Sequence, residues 1–183
     1  RELTVMAGEL SQPITDQDHL RGRRDAPLQL VIYGDYECPY TRRAMIQVRT
    51  IRQELGDNLV FVFRNYPLIE IHPHALHAAQ AAEAAALQDK FWEMHDWLFD
   101  HQRALTDPDL LDDARRLGLD ADRFTADRQS EQVVAKIEAD VDSGEASGVE
   151  GTPTLFINGR LHQGSYEAKD VIDALKRSFS LPR

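Results

Sequence analysis

Leu28-Gln29-Leu30-Val31-Ile32-Tyr33 is a short, partly β-branched apolar run ended by Gly34, which predicts a buried strand. Beyond a polar turn the period changes: Ala44, Met45, Val48, Ile51 and Leu55 recur at helical spacing over 41–55, and Gly56 stops the helix. Residues 59–63, Leu-Val-Phe-Val-Phe, predict a second strand buried on both faces, closed by Arg64-Asn65-Tyr66-Pro67. A long helical region follows: alanine-rich 74–89, aromatic 91–101, then 108–117 ending at Gly118, 120–129 and 130–143. The Ser143-Gly144 and Ser147-Gly148 pairs predict the break after the last of these. Residues 154–157 and 161–163 flank Asn158-Gly159, a strong hairpin signal. Val171, Ile172 and Leu175 mark a final amphipathic helix over 168–178, with a tail at 180–183. Residues 1–24 have no sustained periodicity and read as an arm.

The order is strand, helix, strand, helical insertion, hairpin, helix. Two strands joined by a helical crossover should lie parallel, and the hairpin adds an antiparallel pair. The expected class is α/β, a mixed sheet covered by helices.

Composition narrows the function. A chain of 183 residues with 42% hydrophobic and 28% charged residues is long enough for one sizeable core. The net charge of −10 and the lack of a lysine or arginine run argue against nucleic-acid partners, since phosphate contacts need a basic surface. No stretch is apolar for long enough to suggest a membrane span, and the first residues are too polar for a signal peptide. One cysteine excludes an intrachain disulfide, so nothing argues for an oxidising compartment and the cytoplasm is the expected location. Because the chain begins with arginine, a removed signal or an upstream membrane domain stays open.

That cysteine is Cys38, in Tyr33-Gly34-Asp35-Tyr36-Glu37-Cys38-Pro39-Tyr40-Thr41, at the turn between the first strand and the first helix. Free backbone N–H groups and the positive end of the helix dipole favour thiolate over thiol at such a turn. Asp35 and Glu37 push the other way. The thiolate reading expects an accessible sulfur; the competing one is a buried, inert cysteine that behaves as a small hydrophobe. Pro39 suits the first helical turn, Tyr40 either shapes the site or covers apolar surface, and the Thr41 hydroxyl can donate to a thiolate. His72, His74 and His77 are the nearest approach to a metal set, but without further ligands they read as structural histidines at a helix entrance, and no metal is expected. One of them close to the sulfur would stabilise a thiolate.

The cysteine motif resembles that of the DsbA-like thioredoxin-fold oxidoreductases, together with Arg64-Asn65-Tyr66-Pro67-Leu68, His72-Pro73-His74-Ala75, Phe91-Trp92-Glu93-Met94-His95 and Gly148-Val149-Glu150-Gly151-Thr152-Pro153-Thr154. The resemblance implies a thioredoxin-like domain over 25–183, its core at 25–67 and 148–183 and its helical insertion at 68–147. It implies that Cys38 is the nucleophile, with Pro39, Tyr40 and Thr41 in the catalytic turn. It further implies that Pro153 is a cis-proline beside the cysteine and that Val149, Thr152 and Pro153 face the substrate. The same residues resemble the thioredoxin-type domains fused behind sodium/proton antiporters, which implies a membrane transporter upstream.

Thr41 stands where the redox pattern Cys-x-x-Cys has its second thiol. Exchange through a mixed disulfide then needs an outside thiol to finish it. The expected activity is a monothiol oxidoreductase acting on a thiol- or disulfide-bearing protein or a small thiol, by isomerase or deglutathionylation-type chemistry. No cofactor is expected beyond glutathione or a similar thiol as co-substrate. Two alternatives remain: a redox-silent binding or regulatory module, and a glutathione-transferase-like enzyme.

Overall fold

The computed structural model describes residues 8–180, so 1–7 of the predicted arm and 181–183 of the predicted tail lie outside the described residues. The strands are β1 (His19–Arg21), β2 (Leu28–Gly34), β3 (Leu59–Asn65), β4 (Thr154–Ile157) and β5 (Arg160–His162). The helices are α1 (Pro39–Leu55), α2 (Ala75–Ala86), α3 (Phe91–Asp100), α4 (Asp107–Arg116), α5 (Ala121–Asp127), α6 (Glu131–Ala146) and α7 (Ala168–Ser180). The chain divides into two compact units. The first holds the described residues up to Gly34, Tyr40–Arg64 and the described residues from Asp142 on; the second holds Asp35–Pro39 and Asn65–Val141.

The first unit carries a mixed five-stranded sheet in the order β1-β3-β2-β4-β5. Its β1·β3, β2·β4 and β4·β5 pairs are antiparallel, while β2 and β3 are the neighbours joined through α1, the kind of crossover that parallel strands need. The β4–β5 turn is made by Asn158 (φ 49°) and Gly159 (φ 84°), two successive left-handed residues as the Asn-Gly hairpin signal requires. Asn158 also bonds beyond the turn, since its N–H donates to Gln29 O, its Oδ1 accepts from Gln29 N and its Nδ2 donates to Leu175 O.

Helical periodicity and burial agree along α1, where Thr41, Ala44, Met45, Val48, Ile51 and Leu55 are buried. Gly34 ends β2 because nothing larger fits: a Cβ there would stand 2.6 Å from Phe63 Cε2 and 2.7 Å from Thr41 Cγ2. Gly34→Ala is therefore expected to lower stability by about 1–3 kcal/mol, the usual cost of overpacking, measured as a reduced urea midpoint.

Three elements depart from the pattern-based expectation. His19–Arg21, within the stretch read as an arm, is an edge strand with His19 opposite Phe63 and Arg21 opposite Phe61. β3 continues through Arg64 and Asn65 because both polar side chains are buried with partners. α6 runs past Ser143-Gly144 to Ala146. Ser143 Oγ is bonded to Tyr33 OH at 2.7 Å, and Ser147 Oγ donates to Ser143 O at 2.6 Å. These side-chain bonds outweigh a mid-helix glycine, which costs about 1 kcal/mol.

The second unit is helical. Ala78, Ala79, Ala81, Ala82, Ala84 and Ala85 leave α2 nearly without side-chain bulk and are all buried, while α4 starts at a Thr106–Asp109 capping box. Its core is partly ionic: Asn65 N and Nδ2 both donate to Asp140 Oδ2, Asn65 Nδ2 also reaches Glu83 Oε2, and Lys136 Nζ holds Asp140 Oδ1 at 2.6 Å. Burial raises the Asp140 pKa, Lys136 pulls it down and Glu83 pushes it up, with a net rise.

Asp113 is raised as well, first by burial and against the opposing hydrogen bond from Trp97 Nε1. That bond, to Oδ1, is 2.7 Å long, and Oδ2 is buried without a partner. A carboxyl raised in the folded state binds its proton more tightly there than in the unfolded chain. Its favourable contribution is complete below the unfolded value and is lost as pH rises through the folded one. Asp113→Asn keeps an acceptor for Trp97 and cannot ionise. Its urea midpoint should therefore exceed that of the unsubstituted protein by more at pH 7 than at pH 4, and an equal gap at both values would contradict this assignment.

Candidate active site around Cys38

Cys38 directly precedes α1, whose first residue is Pro39, so the cysteine occupies the N-cap position and proline the first helical one, where a missing N–H costs nothing. The local fold follows from the preceding residues. Cys38 N donates to Asp35 O at 3.1 Å, and Glu37 N donates to Asp35 Oδ1 at 2.7 Å, which closes the turn between β2 and α1 on the aspartate.

The turn belongs to the second unit, whose helical segment bonds it at several points. Asp35, 1% exposed, also accepts at Oδ2 from Leu68 N (2.8 Å) and is bonded there to His72 Nδ1 (2.8 Å). Glu37 takes the backbone N–H of His74 and is bonded to its Nδ1 at 2.9 Å. Gln102 Nε2 donates to the carbonyls of Tyr36 and Cys38, both at 2.9 Å. Tyr36 lies beneath, with its hydroxyl 2.9 Å from His95 Nδ1 and its ring centroid 4.8 Å from that of Phe99.

This packing corrects one expectation. The sulfur was expected to be accessible, yet Cys38 is only 3% exposed. The same contacts accompany this burial: the carboxylates, carbonyls and aromatic ring of the turn are all bonded or packed within the second unit. The chain surfaces immediately afterwards, with Pro39 exposed and Tyr40 at 56%. Thr41, one residue further on, is buried at the end of β2, where its Cγ2 faces Gly34.

The remaining expected site residues lie in the first unit. Val149 is buried, Thr152 and Pro153 are half-buried, and the Thr152–Pro153 peptide bond is cis. The loop leads straight into β4, and Thr154 Oγ1 donates back to Gly151 O at 2.6 Å.

The three candidate histidines do not share a centre. His72 takes Asp35, His74 takes Glu37, and His77 takes Asp107, which Arg128 also holds. Among the described residues no group of three or more histidine, cysteine or acidic side chains is arranged to hold a metal ion. Asp35 and Glu37 had been read only as charges opposing a thiolate; the structure shows them engaged by histidines. The signal was there in two His-x-His and Asp-x-Glu pairs of matching spacing. Gln102 had no such signal, since a lone glutamine after a helix resembles any surface residue.

Among the described residues no helix is long and apolar enough to cross a membrane. The family model described as thioredoxin matches residues 14–177. Curated relatives include a protein of Salinispora arenicola named Na(+)/H(+) antiporter NhaA 1, 46% identical over 90% of this chain and 25% of the antiporter. A protein of the same name from Mycolicibacterium vanbaalenii is 45% identical over 92% of this chain and 28% of its own length. The chain thus spans about a quarter of the length of these relatives. Among solved structures, a thioredoxin-like oxidoreductase from Silicibacter pomeroyi DSS-3 is 27% identical with a TM-score of 0.83, covering 92% of this chain and 95% of its own. Oxidised BdbD from Bacillus subtilis shares the fold at 22% identity, with a TM-score of 0.82 over 94% of this chain and 98% of its own. With the helical insertion and the cysteine at the mouth of α1, these matches make the chain a member of the thioredoxin family, with the fold of its DsbA-like branch.

Proposed function

We propose that the chain is a DsbA-like thiol–disulfide exchange protein that works through Cys38 alone. The observation that carries this reading is the position of the cysteine at the N-cap of a 17-residue helix in a chain of this family. Backbone N–H groups and the helix dipole there stabilise developing negative charge on sulfur. The relationship to a thioredoxin-like oxidoreductase of the same fold supports it.

The chemistry is exchange. The Cys38 thiolate attacks one sulfur of R–S–S–R′, forming Cys38–S–S–R and expelling R′–S⁻ as the old bond breaks. A second thiolate, R″–S⁻, then attacks the sulfur carried by R, breaking the Cys38–S–S–R bond to give R–S–S–R″ and return the Cys38 thiolate. No electrons are gained or lost overall, as a chain with a single cysteine requires. Thr41 would serve the thiolate by its hydroxyl, and Val149, Thr152 and Pro153 would face the disulfide. R″–SH would be glutathione or a similar thiol, and the substrate a protein disulfide or mixed disulfide.

The burial of Cys38 favours a second reading, in which fold and binding surface persist without redox chemistry. Incubation with glutathione disulfide separates the two. Exchange chemistry predicts a mass gain of one glutathionyl group, removed by added thiol and lost in Cys38→Ser; a binding module gains nothing. A third reading, glutathione transfer, requires saturable binding of reduced glutathione, which equilibrium dialysis measures.

The antiporter relatives support reading this domain as part of a larger membrane protein; the cytoplasm as its compartment rests only on the single cysteine. The full-length gene sequence tests this, and membrane-spanning segments encoded upstream are the expected result.

A further inference from the structure

Asp35 is the fixed point of the cysteine turn. Its side chain is fully buried, at 0% exposure, and its two oxygens bond Glu37 N, Leu68 N and His72 Nδ1 at 2.7–2.8 Å while its carbonyl takes the N–H of Cys38. Each Asp35 oxygen already accepts a backbone N–H, an arrangement that suits Nδ1 of His72 as a further donor to Oδ2. Two of these bonds come from backbone and the third from the His72 ring, so loss of the ring takes a donor from a buried acceptor. His72 is itself largely covered, at 18% exposure.

We propose that His72 is a positioning residue for Cys38: by donating to Asp35 it holds the cysteine turn in the form that keeps the sulfur at the mouth of α1. The role rests on the reading of Cys38 as a reactive thiol. It is separate from charge stabilisation, because the ring acts through Asp35 and the turn. Leu68 N, Glu37–His74 and the Gln102 bonds stay in place without it, so the turn is expected to loosen and not to unfold.

The test compares alkylation of Cys38 by iodoacetamide at pH 6 in the folded protein with that of the same variant unfolded in urea. Each variant is thereby its own reference, and the urea midpoint is recorded alongside. His72→Ala should lower the folded-to-unfolded rate ratio about tenfold, as small displacements of reacting groups do. His72→Asn places an amide N–H near the position of Nδ1, restores the bond to Asp35 without a titratable ring, and should recover most of the ratio. A fast unsubstituted protein with His72→Ala equally fast would overturn the proposal while leaving Cys38 reactive. Equal loss in His72→Ala and His72→Asn would also overturn it, pointing to the ring or its charge. A slow unsubstituted protein would remove the reactive-thiol reading itself, and the positioning role with it.

Discussion

Asp18→Ala is expected to lower the free energy of unfolding by about 3–5 kcal/mol, the usual cost of breaking a buried ion pair from one side. The two side chains are 3% and 5% exposed, and the contact is bidentate: Arg64 Nε to Asp18 Oδ1 and Nη2 to Oδ2, both 2.9 Å. Nη1 donates to Tyr33 OH and Gln12 O at 2.9 Å each, and Nη2 to Pro13 O at 3.1 Å. Burial alone would lower the Arg64 pKa; the Asp18 hydrogen bond and Tyr33 reverse this and raise it above the usual arginine value. The guanidinium therefore stays charged, and without Asp18 it is buried and uncompensated. A companion double variant, Asp18→Leu with Arg64→Met, removes both charges and should recover part of the loss. Urea unfolding checks both. A loss below about 1 kcal/mol for Asp18→Ala would place the pair with exposed salt bridges.

On the exchange chemistry proposed above, Thr41→Cys should resolve a mixed disulfide that the single-cysteine chain would accumulate. Positions 38 and 41 are i and i+3 across the start of α1, neighbours on one face of a helix. Threonine there is fully buried, so the comparably small cysteine fits the space. A thiol tethered this way acts at the effective concentration of an intramolecular group, which lies in the millimolar range or above for short connections. After brief treatment with glutathione disulfide, the glutathionylated fraction of Thr41→Cys should be about tenfold lower than in the unsubstituted protein, with an internal disulfide in its place. Equal adduct in both, by intact mass, would show that the two sulfurs do not meet.

Most of the architecture could be read from residue pattern because burial and periodicity coincide. Leu30, Val31 and Ile32 make a strand that is apolar on both faces, and Ala44, Val48, Ile51 and Leu55 make one apolar stripe. The errors came where polar side chains do the work of apolar ones. His19–Arg21 is three residues with one apolar position, too short for its alternation to stand out, and it is held at the sheet edge beside the Asp18–Arg64 pair. Arg64 and Asn65 read as the end of a strand, yet their long-range hydrogen bonds to Asp18 and Asp140 keep them inside. Partners far apart in sequence leave no local trace.

The site divides in the same way. Cys38, Pro39 and the Thr152-Pro153 loop are candidates by residue type alone, which any sequence displays directly. The hold on the cysteine turn by His72, His74 and Gln102 was not visible, since it depends on the helical segment folding back over residues 35–38. Burial of the cysteine follows from that hold and was misjudged for the same reason.

The account stands on the reactivity of one sulfur, so the rate of iodoacetamide alkylation at pH 6 tests it most directly. Cys38 in the folded protein should react about tenfold or more faster than in the urea-unfolded chain, as the exchange chemistry proposed for it requires. A folded rate equal to or below the unfolded one would mean that burial governs this cysteine and that the exchange chemistry is not its function.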